Sequence, residues 1–139
     1  MPSKLMDRVL GFGFNQTRTH ILLLKSPERR IPQQLDVPGG EAAFNEALVS
    51  AVAREFKRHT ELTVAPEKWR VFAVMSGITS ETRCMMAELD ELVPIPPQAQ
   101  WYDVSNPEIR KHGAPNLRWL IPLALCDEGQ RYVSITYRG

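Results

Sequence analysis

The chain has 139 residues, a length typical of one domain that buries its own core without a metal or disulfide staple. Its 17 basic and 16 acidic side chains leave a formal net charge of +1, too small to attract a nucleic acid polymer or an anionic membrane. No apolar run reaches the roughly 18 residues needed to span a bilayer, so we expect one cytoplasmic domain over residues 1–139.

The first part of the chain predicts a hairpin followed by a third, short strand. Glycines at positions 11 and 13 of the first strand indicate that another group approaches its backbone closely. The second strand is a nearly continuous apolar run, which is typical of a buried strand. The predicted strands are residues 9–14, 20–24 and 35–37, with a turn at 15–18 and a loop at 26–34.

Residues 46–59 predict an amphipathic helix. The segment contains neither glycine nor proline, and Val49, Val52 and Phe56 recur at spacings of three and four. Asn45 is of a type favoured at the N-cap, so we expect the helix to begin directly after it.

The rest of the chain predicts more strands and a second helix. The predicted strands are residues 69–75, 83–89, 100–104 and 131–138, and the predicted helix is residues 116–126, interrupted by Pro122. This order predicts an α+β fold, a mixed sheet flanked by helices in an α/β/α sandwich.

Several reactive or aromatic side chains are expected to be structural. The cysteines are far apart and flanked by apolar residues, so buried reduced thiols are expected rather than a zinc site or a disulfide. The tryptophans are candidates for the core. For residues 101–102 the alternative is that their rings stack on a nucleotide base. The cysteines are Cys84 and Cys126, and the tryptophans are Trp69, Trp101 and Trp119. His20 is expected in a strand and His112 in a loop.

The segment around the first helix carries the candidate chemistry. Gly39 and Gly40 allow the backbone to approach a ligand, and a helix N-terminus offers N–H groups to phosphate. Glu46 lies near that terminus, and Glu55 and His59 are four residues apart on one helical face. A carboxylate beside a phosphate site is a place where Mg²⁺ binds.

Residues 40–62 resemble the Nudix box, a pattern of glycine, glutamate, an Arg-Glu pair and apolar residues at fixed spacing. Residues 35–40 look like the strand and turn that lead into the box, and residues 116–122 are a weaker match to a C-terminal helix of the family. The matching positions are Gly40, Glu46, Arg54, Glu55, Phe56 and Leu62.

The resemblance implies a Nudix-like mixed sheet and hydrolysis of the pyrophosphate bond in a nucleoside diphosphate linked to another moiety. It implies Mg²⁺ or Mn²⁺ as cofactor and a small nucleotide-type ligand, and a homodimer is one expected assembly. Glu55 would be a catalytic base or metal ligand, and Arg54 would orient it. Glu46 would support Glu55 and would also be a metal ligand. The expected phosphate-binding residues are Gly39, Gly40, Arg58 and His59.

Several positions depart from the family pattern. Arg58 and His59 stand where the family has two metal-binding glutamates, Glu61 replaces a glycine, and Asn45 replaces another glycine while tolerating a left-handed backbone. Arg58 cannot lose its proton and lies three residues from Glu55, so it is expected to pair with that carboxylate and repel Mg²⁺. Weak Mg²⁺ affinity is therefore predicted.

Three compensations stay open at this point. In the first, His59 favours a softer metal such as Mn²⁺, Co²⁺ or Zn²⁺. In the second, Arg58 contacts phosphate directly and no metal is needed. In the third, other carboxylates replace the missing pair. The candidate carboxylates are Glu41, Glu61, Glu88, Asp90 and Glu91.

Structural interpretations stand beside the functional ones. Arg54 with Glu46, and Arg58 with Glu55, would then be ion pairs, and His59 a surface residue near the helix end. The functional alternatives are a hydrolase with a weakened metal site and a binding or regulatory module with no metal cofactor. An unrelated α+β domain with a chance match is the third.

Overall fold

The computed structural model describes residues 6–25, 34–90, 95–126 and 133–136. The helices of these ranges are α1 Leu48–Thr60, α2 Pro107–His112 and α3 Leu117–Leu125, with a short 3-10 helix at Pro66–Lys68. The strands are β1 Met6–Asn15, β2 His20–Lys25, β3 Leu35–Asp36, β4 Gly39–Glu41, β5 Arg70–Ser76, β6 Ser80–Leu89, β7 Ala99–Asp103 and β8 Val133–Thr136.

The described strands form one mixed sheet in the order β3-β2-β1-β6-β5-β8, with β4 paired to β1 and β7 paired to β2. The β1–β6 and β5–β8 pairs are parallel, and the other pairs are antiparallel. Each predicted strand is therefore present, and the mixed sheet of an α+β fold is confirmed. Residues 26–33 of the loop predicted at 26–34 lie outside the described residues, as do Glu91 and the two ends of the strand predicted at 131–138.

Side-chain alternation along the strands divides the core into two layers. Ile21 and Leu23 of β2 pack in a cluster with residues of α2 and α3, whereas Leu22 between them packs with residues of α1. Because successive strand residues point to opposite faces, α1 covers one face of the sheet and α2 and α3 cover the other. This arrangement is the predicted α/β/α sandwich.

The glycines of β1 allow α1 to lie close to the sheet. A Cβ atom on Gly13 would lie 2.7 Å from the Leu89 Cδ1 atom and 2.8 Å from the Phe56 Cζ atom. A Cβ atom on Gly11 would lie 3.2 Å from the Phe56 Cδ1 atom. The predicted close approach is confirmed, and the Phe56 ring is the group that approaches both glycines.

Helix α1 begins two residues later than predicted, and the Asn45 N-cap prediction is wrong. The N-cap residue is Ala47, which makes no side-chain capping hydrogen bond. Asn45 has a left-handed backbone with φ 60°, and the Glu46 N–H donates to the Ala43 carbonyl at 3.0 Å. The Glu46 carboxylate accepts from the Ala43 N–H at 2.9 Å. These bonds close a turn over residues 43–46, which therefore do not join the helix.

Two further elements differ from the prediction. Gly39 and Gly40 are strand residues of β4, opposite Leu10 and Val9 of β1, rather than the turn that the sequence suggested. Helix α2 was not predicted, although an Asn-Pro pair marks its start: the Asn106 side chain accepts from the Glu108 N–H, and Pro107 follows it. A single turn and a half of helix is too short to show periodicity.

Other side chains confirm or correct the remaining expectations. Trp69 and Cys84 are buried, whereas Trp101 and Trp119 are half-buried against the two core clusters. Both thiols are free, but Cys126 is exposed because it follows the last turn of α3, so its predicted burial is wrong. His112 ends α2 instead of lying in a loop, with its Nε2 atom 3.3 Å from the Glu108 carboxylate.

The predicted turn between β1 and β2 is built on a buried asparagine. The Asn15 Oδ1 atom accepts from the backbone N–H groups of Thr19 and His20 at 2.9 and 3.0 Å. Its Nδ2 atom donates to the hydroxyls of Thr17 and Thr19. Arg18 completes the turn with φ 57°.

Replacing Asn15 with alanine is expected to lower the free energy of unfolding by about 1–3 kcal/mol, because two backbone N–H groups lose their acceptor. Urea denaturation of wild type and variant measures the difference. Asn15→Asp keeps the acceptor oxygen and should lose less than Asn15→Ala. Equal losses in the two variants would show that the acceptor is not the important group.

Candidate functional site

Glu55 of α1 is buried against β4. Helix α1 packs on both β1 and β4, and Glu55 retains only 3% of its surface exposed. Its Oε1 atom occupies the space where a Cβ atom of Gly40 would lie. Gly40 is therefore required because its missing side chain makes room for the Glu55 carboxylate.

Arg54 joins the strand, the turn and the helix around this carboxylate. Its Nη1 atom donates to Glu55 Oε2 at 2.7 Å. Its Nε and Nη2 atoms donate to the two Glu46 oxygens at 2.9 and 3.0 Å, and Nη2 also donates to the Glu41 carbonyl at 2.9 Å. The expected Arg54–Glu46 ion pair is confirmed. Both Glu46 oxygens are engaged, so the geometry favours a supporting role for Glu46 over the predicted metal role.

Arg58 holds Glu55 from the solvent side. The Arg58 Nε atom donates to Glu55 Oε2 at 3.0 Å, and its Nη2 atom donates to Oε1 at 2.7 Å. The expected Arg58–Glu55 pair is therefore confirmed, and it is bidentate. Arg58 Nη2 also lies 3.1 Å from His59 Nε2. Since a guanidinium only donates, this contact requires His59 Nε2 to be an acceptor.

The arginines keep both carboxylates ionised at neutral pH. The hydrogen bonds from Arg58 hold the pKa of Glu55 below its usual value, against the opposing effect of burial. The hydrogen bonds from Arg54 and from the Ala43 N–H lower the pKa of Glu46. The same contacts raise the pKa values of Arg54 and Arg58.

Glu88, a candidate to replace the missing glutamates, lies far from Glu55. Gly40, which contacts Glu55, lies opposite Val9 of β1, whereas Glu88 lies opposite Phe14. Five residues of strand separate these positions by roughly 16 Å. Among the described residues, no group of three or more His, Cys, Asp or Glu side chains is suited to hold a metal ion.

The individual candidates have other contacts. Glu88 is paired with Arg18 at 2.8 Å, and Asp90 accepts from Gln16 at 3.1 Å. Glu41 is exposed, with its carboxylate 4.0 Å from Arg8. Glu61 is the exposed C-cap residue of α1, with a left-handed backbone. Glu91 lies outside the described residues.

As arranged, the cluster does not fit a hard divalent cation. Two carboxylates, Glu46 and Glu55, are balanced by two guanidiniums, Arg54 and Arg58, so their charges sum to zero, and each carboxylate oxygen already accepts from an arginine. Mg²⁺ takes oxygen ligands with free lone pairs. The Arg58 side chain is 61% exposed, so the departure of this one group would free the solvent-facing side of Glu55.

The sequence did not reveal two contacts of this site. The Glu41 carbonyl and the Ala43 N–H both fix the Arg54–Glu46 pair, and backbone groups leave no mark in a residue pattern.

Among the described helices, none is long and apolar enough to cross a membrane.

Comparison with solved structures identifies the fold. No protein-family model and no curated protein matches the chain. Solved structures do match: a mutator MutT protein from Bacillus halodurans at a TM-score of 0.71 and 20% identity, over 96% of this chain and 90% of that one. A Nudix hydrolase from Nitrosomonas europaea matches at 0.69 and 18%, over 99% of this chain and 82% of that one.

A MutT/Nudix family protein from Enterococcus faecalis matches at a TM-score of 0.62 and 19% identity, over 74% of this chain. The match spans only 45% of that longer protein. Identities at this level carry information about the fold, and the matched structures agree on it. The chain therefore has the Nudix fold.

Proposed function

We propose that this chain hydrolyses the pyrophosphate bond of a nucleoside diphosphate linked to another moiety, and that Arg58 restrains the reaction. The observation that carries the proposal is the state of Glu55: an ionised, buried carboxylate held by Arg54 against Gly40. Its neighbours follow the register of the Nudix box on a Nudix fold. The helix and the strand meet at this carboxylate and Arg54 connects it to the turn, an arrangement that a salt bridge alone would not require.

Departure of Arg58 would leave the Glu55 Oε1 atom without an arginine donor and therefore available to a divalent cation. Glu55 would then hold Mg²⁺ or Mn²⁺, which when bound supplies a Lewis acid for the phosphate oxygens and the attacking water. Arg54 fixes the direction of the Glu55 carboxylate, and Glu46 fixes Arg54. Because Arg58 projects into water, its departure requires no rearrangement of the core.

Glu55→Gln is expected to lower cleavage by on the order of 100-fold or more, because the neutral amide cannot hold a cation or accept a proton. The measurement is phosphate-bond cleavage across a panel of nucleoside diphosphate derivatives, with Mg²⁺ and with Mn²⁺. Glu61→Gln is the matched control, since Glu61 is exposed and lies at the end of the same helix. Equal activity in wild type and Glu55→Gln would remove Glu55 from the reaction.

A second candidate function is a nucleotide-binding or regulatory module without hydrolysis. The bidentate Arg58–Glu55 pair favours it, because it occupies the carboxylate that would otherwise take the metal. This function predicts that calorimetry detects nucleotide binding in the absence of divalent metal, while no substrate of the panel is cleaved with either metal. Cleavage that depends on Glu55 would exclude it.

A further inference from the structure

A groove lies between α2 and α3, on the face of the sheet opposite α1. Its volume is about 430 Å³, within the range of small-molecule sites. Its floor includes three buried side chains of the α2–α3 core: Ile109, Leu117 and Ile121. Val104, Pro107 and Pro122 also line the groove and are at least partly exposed, so they give it an apolar surface. The sheet separates the groove from Glu55.

Two arginines line the same groove. Arg110 of α2 and Arg118 of α3 are both exposed, and neither forms an ion pair with another described residue. The two acidic residues nearest to Arg110 along the chain have other contacts: Glu108 lies 3.3 Å from His112, and Asp103 accepts from Ser105 at 2.6 Å. Two cations beside an apolar floor leave the groove with a net positive lining.

We propose that this groove binds a small organic anion with a flat apolar ring, whose carboxylate or phosphate group contacts Arg110 and Arg118. The ring would cover the apolar lining formed by Val104, Pro107 and Pro122. The site is independent of the proposed hydrolysis, because it lies on the other face of the sheet and shares no residue with the Glu55 cluster.

Phenyl phosphate is the probe that tests the proposal. In an amide chemical-shift titration of the full chain, we expect shifts at residues 104–122 and a Kd on the order of 1 mM or tighter. Arg110→Ala with Arg118→Ala should weaken binding at least about tenfold. Lys57→Ala with Lys111→Ala removes two exposed positive charges outside the groove and should leave the Kd unchanged.

Further arms separate the contributions of charge and ring. Benzoate should bind at the same residues, whereas inorganic phosphate and benzyl alcohol should each bind more weakly than phenyl phosphate. Glu55→Gln should leave the titration unchanged, so failure of the proposed hydrolysis does not affect this result. Shifts centred on α1, an equal loss in the lysine control, or equal affinity for inorganic phosphate would overturn the proposal.

Discussion

Replacing Phe56 with alanine is expected to lower the free energy of unfolding by about 3–5 kcal/mol. Phe56 is fully buried, and its ring meets that of Trp69 edge to face at 5.1 Å between centroids. It also fills the space above Gly11 and Gly13. Because neither glycine has a side chain that could move into the gap, truncation would leave a cavity that relaxes poorly.

Chemical denaturation followed by circular dichroism measures this loss. Phe44→Ala is the matched control, because Phe44 is 85% exposed and precedes the same helix; its change should stay within about 0.5 kcal/mol. The two variants delete the same atoms, one from a buried site and the other from an exposed site. A loss below 1 kcal/mol for Phe56→Ala would mean that α1 does not pack on β1 as described.

The long elements could be predicted because their pattern repeats. The apolar run of β2 and the spacing of Val52 and Phe56 in α1 each recur often enough to mark a buried face. The glycines of β1 predicted that another group lies close to this strand, although they did not identify that group. These signals are local, and they were sufficient for the sheet, α1 and the layered architecture.

The short elements depended on contacts between distant residues. Strand β4 has only three residues and exists because it pairs with β1. The N-cap is Ala47 rather than Asn45 because Arg54, in the second turn of the helix, holds Glu46 in the turn that precedes it. Neither effect is visible in the local propensity of the residues concerned.

The site was half predictable for the same reason. Spacing along α1 predicted the pairing of Arg58 with Glu55, since residues three apart on a helix are neighbours. It could not predict the distance of Glu88 from Glu55, which follows from the register of β1 with β6 and β4. Nor could it predict that Gly40 accommodates the Glu55 carboxylate.

Replacing Arg58 and His59 together with glutamate is expected to raise Mn²⁺ affinity and pyrophosphate-bond cleavage, each at least about tenfold. The double change frees Glu55 from a bidentate guanidinium and places two more carboxylates beside it. The local charge then becomes strongly negative, which favours a divalent cation. Calorimetric titration with Mn²⁺ and Mg²⁺, together with the nucleotide panel, measures both effects.

Arg58→Gln with His59→Gln separates the two causes, because it releases Glu55 without adding carboxylates. If Arg58 alone limits the site, this control should recover the whole gain; if the number of ligands also matters, the glutamate pair should exceed it. Metal binding that rises without cleavage would point to the binding module, because the scaffold would then lack a group needed for the reaction. No rise in metal affinity in either variant would contradict the account of Arg58 as the restraint on Glu55.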